Sequence, residues 1–380
     1  MLEFFPNLDF YEPITYVFFT FCLFAFVQFI YVVFIFGKLA FHRIHKENNG
    51  NGTPGLSIII AARNESENLY KFLPFILDQD YPNFEVVVVN HQSVDDSKYI
   101  LDAYKQQYPN LRIIEIERSK HLKFGKKLPL TLGIKAAKNE HLIFTDADCK
   151  PNSNQWLYSM AARFSEKKNI VLGYGPVYKR KGFANRLMRF DTAWIGMSYL
   201  SMAKARMPYM GIGRNLAYTK STFDSVSGYK SHYFLASGDD DLFIQEAAKN
   251  QNYTINIEPE SFCYSKAPKT LGNWTRQKAR HYTTASKYKV IKKMLLGIYP
   301  LSLLFMLISF VSLCFVYEYL WIALAIFVFL LTVKWIVFGK AFRKIKENTF
   351  VAWLPLWDIF YAIWTPIMFY TVSKTESDKW

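Results

Sequence analysis

Two aspartates one residue apart, Asp146 and Asp148, stand just after the apolar run His141 to Phe144. A chain leaving a strand there aims two carboxylates toward one hard cation, and Mg2+ or Mn2+ shared with a diphosphate suits such an oxygen set. A bare Asp-x-Asp is most often an ordinary turn; its place at a strand end is what points to a metal. Gly238-Asp239-Asp240-Asp241 puts three like charges in a row, and their repulsion calls for a cation, a basic partner or full solvation. That run suits the start of the helical segment Leu242 to Lys249, or it supplies a general base that takes a proton from a hydroxyl. Gly125-Lys126-Lys127 opens another helical segment, where the lysines are either surface charge or cations for a leaving diphosphate. Arg276, Gln277, Arg280 and His281, beside Trp274 and Tyr282, read either as a lipid-surface anchor or as a phosphate-holding cover, since Arg grips such groups bidentately. The remaining histidines form no metal-ligand pair at helical spacing, which argues against zinc.

These groups need a scaffold, and alternating segments provide one. A turn-rich stretch, Asn48 to Gly55, leads into the strand candidate Leu56 to Ala61. A helix over 65–78, a strand Glu85 to Val89, a helix over 95–107, a strand Arg112 to Ile116, a helix over 126–137 and the strand His141 to Phe144 follow. Strands alternating with helices predict an α/β fold with a doubly wound, mainly parallel sheet. Ligands bind beyond the carboxyl ends of such strands, where this chain places Arg63-Asn64-Glu65, Asn90-His91-Gln92-Ser93 and Thr145-Asp146-Ala147-Asp148.

The ends of the chain have a different character. Of 380 residues 18% are aromatic, and they crowd toward both ends, where charge is scarce. Ile14 to Phe36 carries no charged residue and is long enough to cross a hydrocarbon layer of roughly 30 Å. Acidic Glu3, Asp9 and Glu12 precede it, unlike the basic start of a signal peptide, so the segment is expected to be retained. Further candidates lie at about 295–316, 319–338 and 351–372, three or four spans in all; Lys334, near the end of the second, can snorkel to the interface, and Asp358 gives the last an interfacial or re-entrant alternative. Lys38, Arg43 and Lys46 follow the first span and Lys340, Arg343, Lys344 and Lys346 separate the last two, which predicts that both loops and the intervening domain are cytoplasmic. The net charge of +15 suits an anionic membrane surface or a phosphate-bearing substrate; nucleic acid would explain the charge but neither the spans nor the ordered acids. Cys22, Cys149, Cys263 and Cys314 show no C-x-x-C spacing, which fits a reducing compartment. The expected organisation is an N-terminal anchor at 1–48, a cytoplasmic domain at 52–270, an amphipathic interfacial segment at 271–293 and a membrane region of two or three spans at 294–380.

In their order these segments resemble the membrane-bound family 2 glycosyltransferases, over roughly residues 56–285. Ile60-Ala61-Ala62-Arg63-Asn64-Glu65 looks like the opening strand and donor-binding turn of that family. Gly125-Lys126-Lys127-Leu128-Pro129-Leu130-Thr131-Leu132-Gly133 follows G-K-x-x-A-L-N-x-G in part, and Thr145-Asp146-Ala147-Asp148 matches the metal-binding D-x-D. Gly213-Arg214-Asn215-Leu216-Ala217 resembles a segment on the acceptor side, and Gly238-Asp239-Asp240 the G-E-D element whose aspartate is the base. Gln277-Lys278-Ala279-Arg280-His281 looks like Q-x-x-R-W with His281 in place of Trp, a departure from processive synthases. Asn90 and His91 stand where members commonly carry Asp-Asp, one of which contacts the nucleotide base.

The resemblance implies a GT-A-type fold flanked by transmembrane helices, and an enzyme that transfers a sugar with inversion from a nucleotide-sugar donor. The acceptor would be lipid or lipid-linked, and the setting the cytoplasmic face of a bacterial inner membrane. It puts metal on Asp148 and Asp146 and the base on Asp240, with Asp239 or Asp241 open because three acids leave the register free by one. Donor-side residues would be Ala62, Arg63, Glu65, Asn90, His91, Lys126, Lys127 and Asp146; acceptor or phosphate-side residues would be Asn215, Gln277, Arg280 and His281. The alternatives are a processive polysaccharide synthase and a non-catalytic membrane-bound scaffold.

Overall fold

A computed structural model describes residues 10–44, 53–119 and 125–372. The expectations resting on Glu3, Asp9, Lys46 and residues 48–52 lie outside these. The chain divides into two compact units, residues 43–287 and residues up to 42 together with 288–371.

The unit at 43–287 is built on β1 (Leu56–Ala62), β2 (Phe84–His91), β3 (Leu111–Ile116), β4 (His141–Asp146), β5 (Cys149–Pro151), β6 (Ile170–Leu172), β7 (Leu216–Thr219), β8 (Tyr253–Ile255) and β9 (Cys263–Ser265). Seven form one sheet in the order β3-β2-β1-β4-β7-β6-β8, while β5 and β9 pair separately. The first four run parallel, as the alternation predicts. β7 enters antiparallel to both β4 and β6, and β8 runs parallel to β6. Val86 to Val89 are fully buried, as a parallel strand covered on both faces requires, each worth about 1.5–3 kcal/mol.

The helices Ser66–Leu77, Ser97–Gln107 and Lys127–Ala136 connect the parallel strands. Gly133 lets the last of these lie close on the sheet: a Cβ there would sit 2.7 Å from Ile59 Cγ2. That close approach brings the amino end of the helix, with Lys126, to the end of β4.

Among the described residues, the second unit contains four helices long and apolar enough to cross a membrane: Pro13–Ala40, Val290–Leu313, Tyr317–Lys344 and Asn348–Thr371. Aromatic pairs interlock them, with ring centroids 4.2 Å apart for Phe310 and Phe327 and 5.2 Å for Phe18 and Tyr319. Several polar side chains inside the unit are paired with one another. Gln28 Nε2 donates to Tyr299 O at 2.8 Å and to Ser302 Oγ at 2.7 Å. Lys334 does not snorkel. It is 4% exposed and its Nζ lies 2.8 Å from Asp358 Oδ2, while the Tyr299 hydroxyl donates to the same carboxylate at 2.8 Å. A partner one helix away satisfies the ammonium where it stands, so the stem has no need to reach the interface.

Candidate active site

The sheet order reverses between β1 and β4, with β2 and β3 on one side and β7 on the other, and a crevice opens at that switch point beyond the carboxyl ends. Asp146 is the last residue of β4 and lies opposite Ala61 of β1. Beside it is a cleft whose walls include Lys126, Thr145, Asp146, Gly213, Tyr229 and Asp239.

One oxygen each from Asp146 and Asp148 and the Cys149 sulfur lie within 4.8 Å of one another. Lys126 Nζ is 2.6 Å from Asp146 Oδ1. Burial opposes the charge on Lys126, but Asp146 and Asp239 outweigh it and raise its pKa, so the ammonium stays charged. Burial likewise works against ionised Asp146, and Lys126 overcomes it and lowers that pKa. Asp148 is pushed up instead, by burial first and then by Asp146. Glu65, at the amino end of the helix Ser66–Leu77, is pushed up to about 7 by burial, with Asp148 and Asp146 adding to the shift. Two of these acids, Asp148 and Glu65, are thus held toward the neutral form, and a hard dication at the carboxylate oxygens would favour their ionised form. Burial raises the Cys149 thiol well above its ordinary range, and its Sγ lies 3.4 Å from Asp148 Oδ1; the hard oxygen donors of the group are the carboxylates of Asp146 and Asp148, which suit Mg2+ or Mn2+.

The second acidic run divides its three carboxylates among three surroundings. Gly238 makes the turn with φ +107°, and a Cβ there would lie 2.9 Å from Leu242 Cδ1. Asp239 borders the cleft. Asp240 caps the helix Asp241–Ala247: its Oδ2 accepts from Gly213 N at 3.0 Å and its Oδ1 from Asp241 N at 2.8 Å. Burial, then Asp239 and Asp241, push Asp240 up to about 8. Asp241 is 5% exposed and accepts from Leu242 N at 2.7 Å and from Thr284 Oγ1 at 2.5 Å.

Cations approach from two further elements. Arg214 and Arg280 both lie within electrostatic reach of Asp146. His281 is exposed on the helix Leu271–Ala285, within electrostatic reach of Arg280, Lys278, Lys126 and Arg214. Gln277 is exposed on the same helix. Lys126, Asp146, Asp148, Glu65, Asp239, Arg280 and His281 thus come together.

Other singled-out residues lie deeper in the scaffold. Ala62 is buried opposite Asn90 on β2. Asn90 donates to Glu115 at 3.0 Å and accepts from Ser93 Oγ at 2.5 Å. His91 is buried and lowered to about 4, by burial and then by Arg63. Arg63 is itself lowered, by burial and then by Arg118. Lys127 is 3% exposed and donates to the carbonyls of His232 and Leu235, which hold the loop ahead of the acids; burial lowers it to about 8. Asn215 spends its amide on Tyr174 O and Ser261 O at 2.8 Å each and accepts from Trp156 Nε1 at 3.1 Å.

Two residues join the site that sequence reasoning did not single out. Glu115 stands on β3 beside Asn90, one residue short of the strand's end, so the rule that looks beyond the carboxyl ends passes over it. Arg214 sits between Gly213 and Asn215, and its charge in an otherwise neutral segment was the available signal.

Comparison with known proteins bears on the family and the fold. The Glycosyl transferase family 2 model matches residues 57–228, and the Glycosyl transferase family group 2 model matches residues 150–370. A poly-beta-1,6-N-acetyl-D-glucosamine synthase of Staphylococcus epidermidis is 24% identical over 228 residues, 60% of this chain and 53% of the synthase, so the chain spans about half the length of that relative. Glycosyltransferase AglE of Haloferax volcanii is 37% identical over 107 residues, 27% of this chain and 33% of that protein. The solved structure of the mannosyltransferase PcManGT from Pyrobaculum calidifontis, in complex with GDP-Man and Mn2+, superposes with a TM-score of 0.54 at 16% identity, covering 92% of this chain and 99% of that one. The shared fold is of GT-A type. With the second family model covering more than half of its length, the chain belongs to the family 2 glycosyltransferases.

Proposed function

We propose that this glycosyltransferase moves a sugar from a nucleotide-sugar donor to a hydroxyl of a membrane-associated, lipid-linked acceptor, with inversion, at the cytoplasmic face of a bacterial inner membrane. The observation that carries the reading is the convergence of Lys126, Asp146 and Asp239 on one cleft at the switch point of the sheet, with Arg214 and Arg280 in electrostatic reach. Asp146 and Asp148 would hold Mg2+ or Mn2+, which when bound supplies positive charge for a diphosphate leaving group. Lys126 and Arg280 bind the diphosphate and stabilise the charge left on it. Asp239 takes the acceptor proton as the acceptor oxygen bonds to the anomeric carbon and the bond from that carbon to the diphosphate breaks. One displacement completes the transfer, without a covalent enzyme intermediate. Asp239 is the base in this reading because it borders the cleft, whereas both Asp240 oxygens accept backbone N–H groups and Asp241 is buried against Thr284.

The ends of β1 and β2, with Ala62, Arg63, Glu65, Asn90 and His91, form the donor side, where Glu115 is the acid nearest the usual base-reading position. Gln277, Arg280 and His281 form the acceptor and phosphate side, with Asn215 supporting the floor. Residues 1–48 and 294–380 anchor the chain, 52–270 carry catalysis and 271–293 lie along the interface. Two crossings, Val290–Leu313 and Tyr317–Lys344, would return the basic loop 340–346 to the side of Arg43, which supports a cytoplasmic catalytic face.

Incubating the full chain in lipid nanodiscs with a panel of nucleotide sugars, Mn2+ or Mg2+, and total membrane lipid tests the proposal by product mass. A lipid one sugar heavier supports it; free polysaccharide independent of lipid contradicts it. The similarity to the staphylococcal synthase favours a second reading, processive synthesis, which the same assay separates by chain length.

A further inference from the structure

The helix Leu271–Ala285 is fixed within its unit by two buried polar contacts. Lys278 Nζ lies 2.5 Å from Asp191 Oδ2 on the helix Phe183–Lys204, with side chains 12% and 8% exposed. Thr284 Oγ1, fully buried, donates to Asp241 Oδ2 at 2.5 Å, and the same hydroxyl lies 2.8 Å from His281 O one turn back. Gln277, Arg280, His281 and Thr284 follow the spacing of a single helix face, so a bond at Thr284 restrains the face that carries Arg280. Its far end is Asp241, two residues after Asp239 and held on the following backbone by Leu242 N. One short contact therefore joins the segment that bears the base to the helix that bears the phosphate-side cation.

We propose that the Asp241–Thr284 bond is a tether that sets Arg280 against Asp239, making Asp241 and Thr284 positioning residues for transfer. The inference rests on the function proposed above for Asp239 and Arg280. Three acids in a row then have three tasks: Asp239 faces the acceptor, Asp240 caps its helix and Asp241 holds the cover. The tether is a hydrogen bond formed out of water, nearer the carboxyl end of the helix than the Lys278–Asp191 pair.

Thr284→Val keeps the shape and removes the donor, and Thr284→Ser keeps the donor. Amide hydrogen exchange of residues 271–285 in the full chain should quicken about tenfold in Thr284→Val and stay near wild type in Thr284→Ser. Unchanged exchange in Thr284→Val overturns the tether whatever the activity. In the transfer assay Thr284→Val should lower kcat at least tenfold with donor Kd within twofold, Thr284→Ser should restore it, and Thr284→Val should add nothing to Arg280→Ala. A wild-type kcat in Thr284→Val, or effects of Thr284→Val and Arg280→Ala that multiply, overturns the proposal. If instead the wild-type chain turns over no nucleotide sugar, the proposed function fails, while the exchange measurement still decides the tether.

Discussion

Replacing Lys334 by Met tests how the apolar unit holds its charge. Lys334 and Asp358 meet at 2.8 Å with 5% and 3% of their side chains exposed, and the Tyr299 hydroxyl donates to the same carboxylate at 2.8 Å. At that 2.8 Å separation and an effective dielectric of about 20, the attraction alone amounts to about 6 kcal/mol. Desolvating two ions costs several kcal/mol each, so the intact pair is worth little more than an apolar pair of the same volume. Removing one partner is different, because it strands a carboxylate among apolar helices at a cost of about 3–5 kcal/mol. The Tyr299 hydroxyl stays and offsets part of that cost, about 1.5–3 kcal/mol for a bond to a charged group, which places Lys334→Met near the low end, about 3 kcal/mol. Asp358→Leu strands the ammonium, with no hydroxyl oriented to help it, and should cost about 4 kcal/mol. The double variant leaves no charge behind and should lie within about 1 kcal/mol of wild type. Reversible unfolding of the detergent-solubilised full chain reads all three. A double variant as unstable as the sum of the singles would show that the two charges do not interact, and the reasoning would be wrong.

Lys126→Met removes the cation beside Asp146 and should lower kcat/KM about 10²–10³-fold in steady-state transfer; a change below threefold counts against a role at the diphosphate. Asp148→Asn should raise the Mn2+ or Mg2+ concentration for half-maximal turnover at least about tenfold, read by metal titration after chelation, and an unshifted titration contradicts the metal assignment. Glu65 titrates near 7 in the fold, above its ordinary value in an unfolded chain, so the folded state holds an extra proton between about 4.3 and 7 and loses stability as pH rises through that window. Glu65→Gln should remove that slope in melting curves taken from pH 4.5 to 7.5; an unchanged slope assigns it elsewhere.

The parallel half of the fold was legible because its strands are buried on both faces. Leu56–Ala62 and Phe84–His91 read as apolar runs ending in polar residues, and those ends are where the site lies. β7, only Leu216–Thr219, and the three-residue β5 and β9 are too short for periodicity to announce, and their pairing with distant segments is set by tertiary contacts. Lys126 and Lys127 looked equivalent in sequence. Neighbours in a helical turn point about 100° apart, so only Lys126 faces Asp146 while Lys127 turns to the carbonyls of His232 and Leu235. Lys334 and Asp358 were each visible as a charge in an apolar segment, but their pairing spans two helices and 24 positions, a relation that local pattern does not carry. Among the three acids the sequence leaves the register open by one, and the contacts of Asp240 with Gly213 N and of Asp241 with Thr284 Oγ1 are long-range ones that the run itself does not announce.

The central claim is that Asp239 is the base of a sugar transfer at this cleft. Purified Asp239→Asn, Asp240→Asn and Asp241→Asn can be compared with wild type in transfer rate and in nucleotide-sugar Kd by calorimetry. The account predicts that Asp239→Asn loses about 10²–10⁴-fold in kcat with Kd within threefold of wild type, and that the other two lose less. An Asp239→Asn enzyme that transfers sugar at the wild-type rate would contradict it.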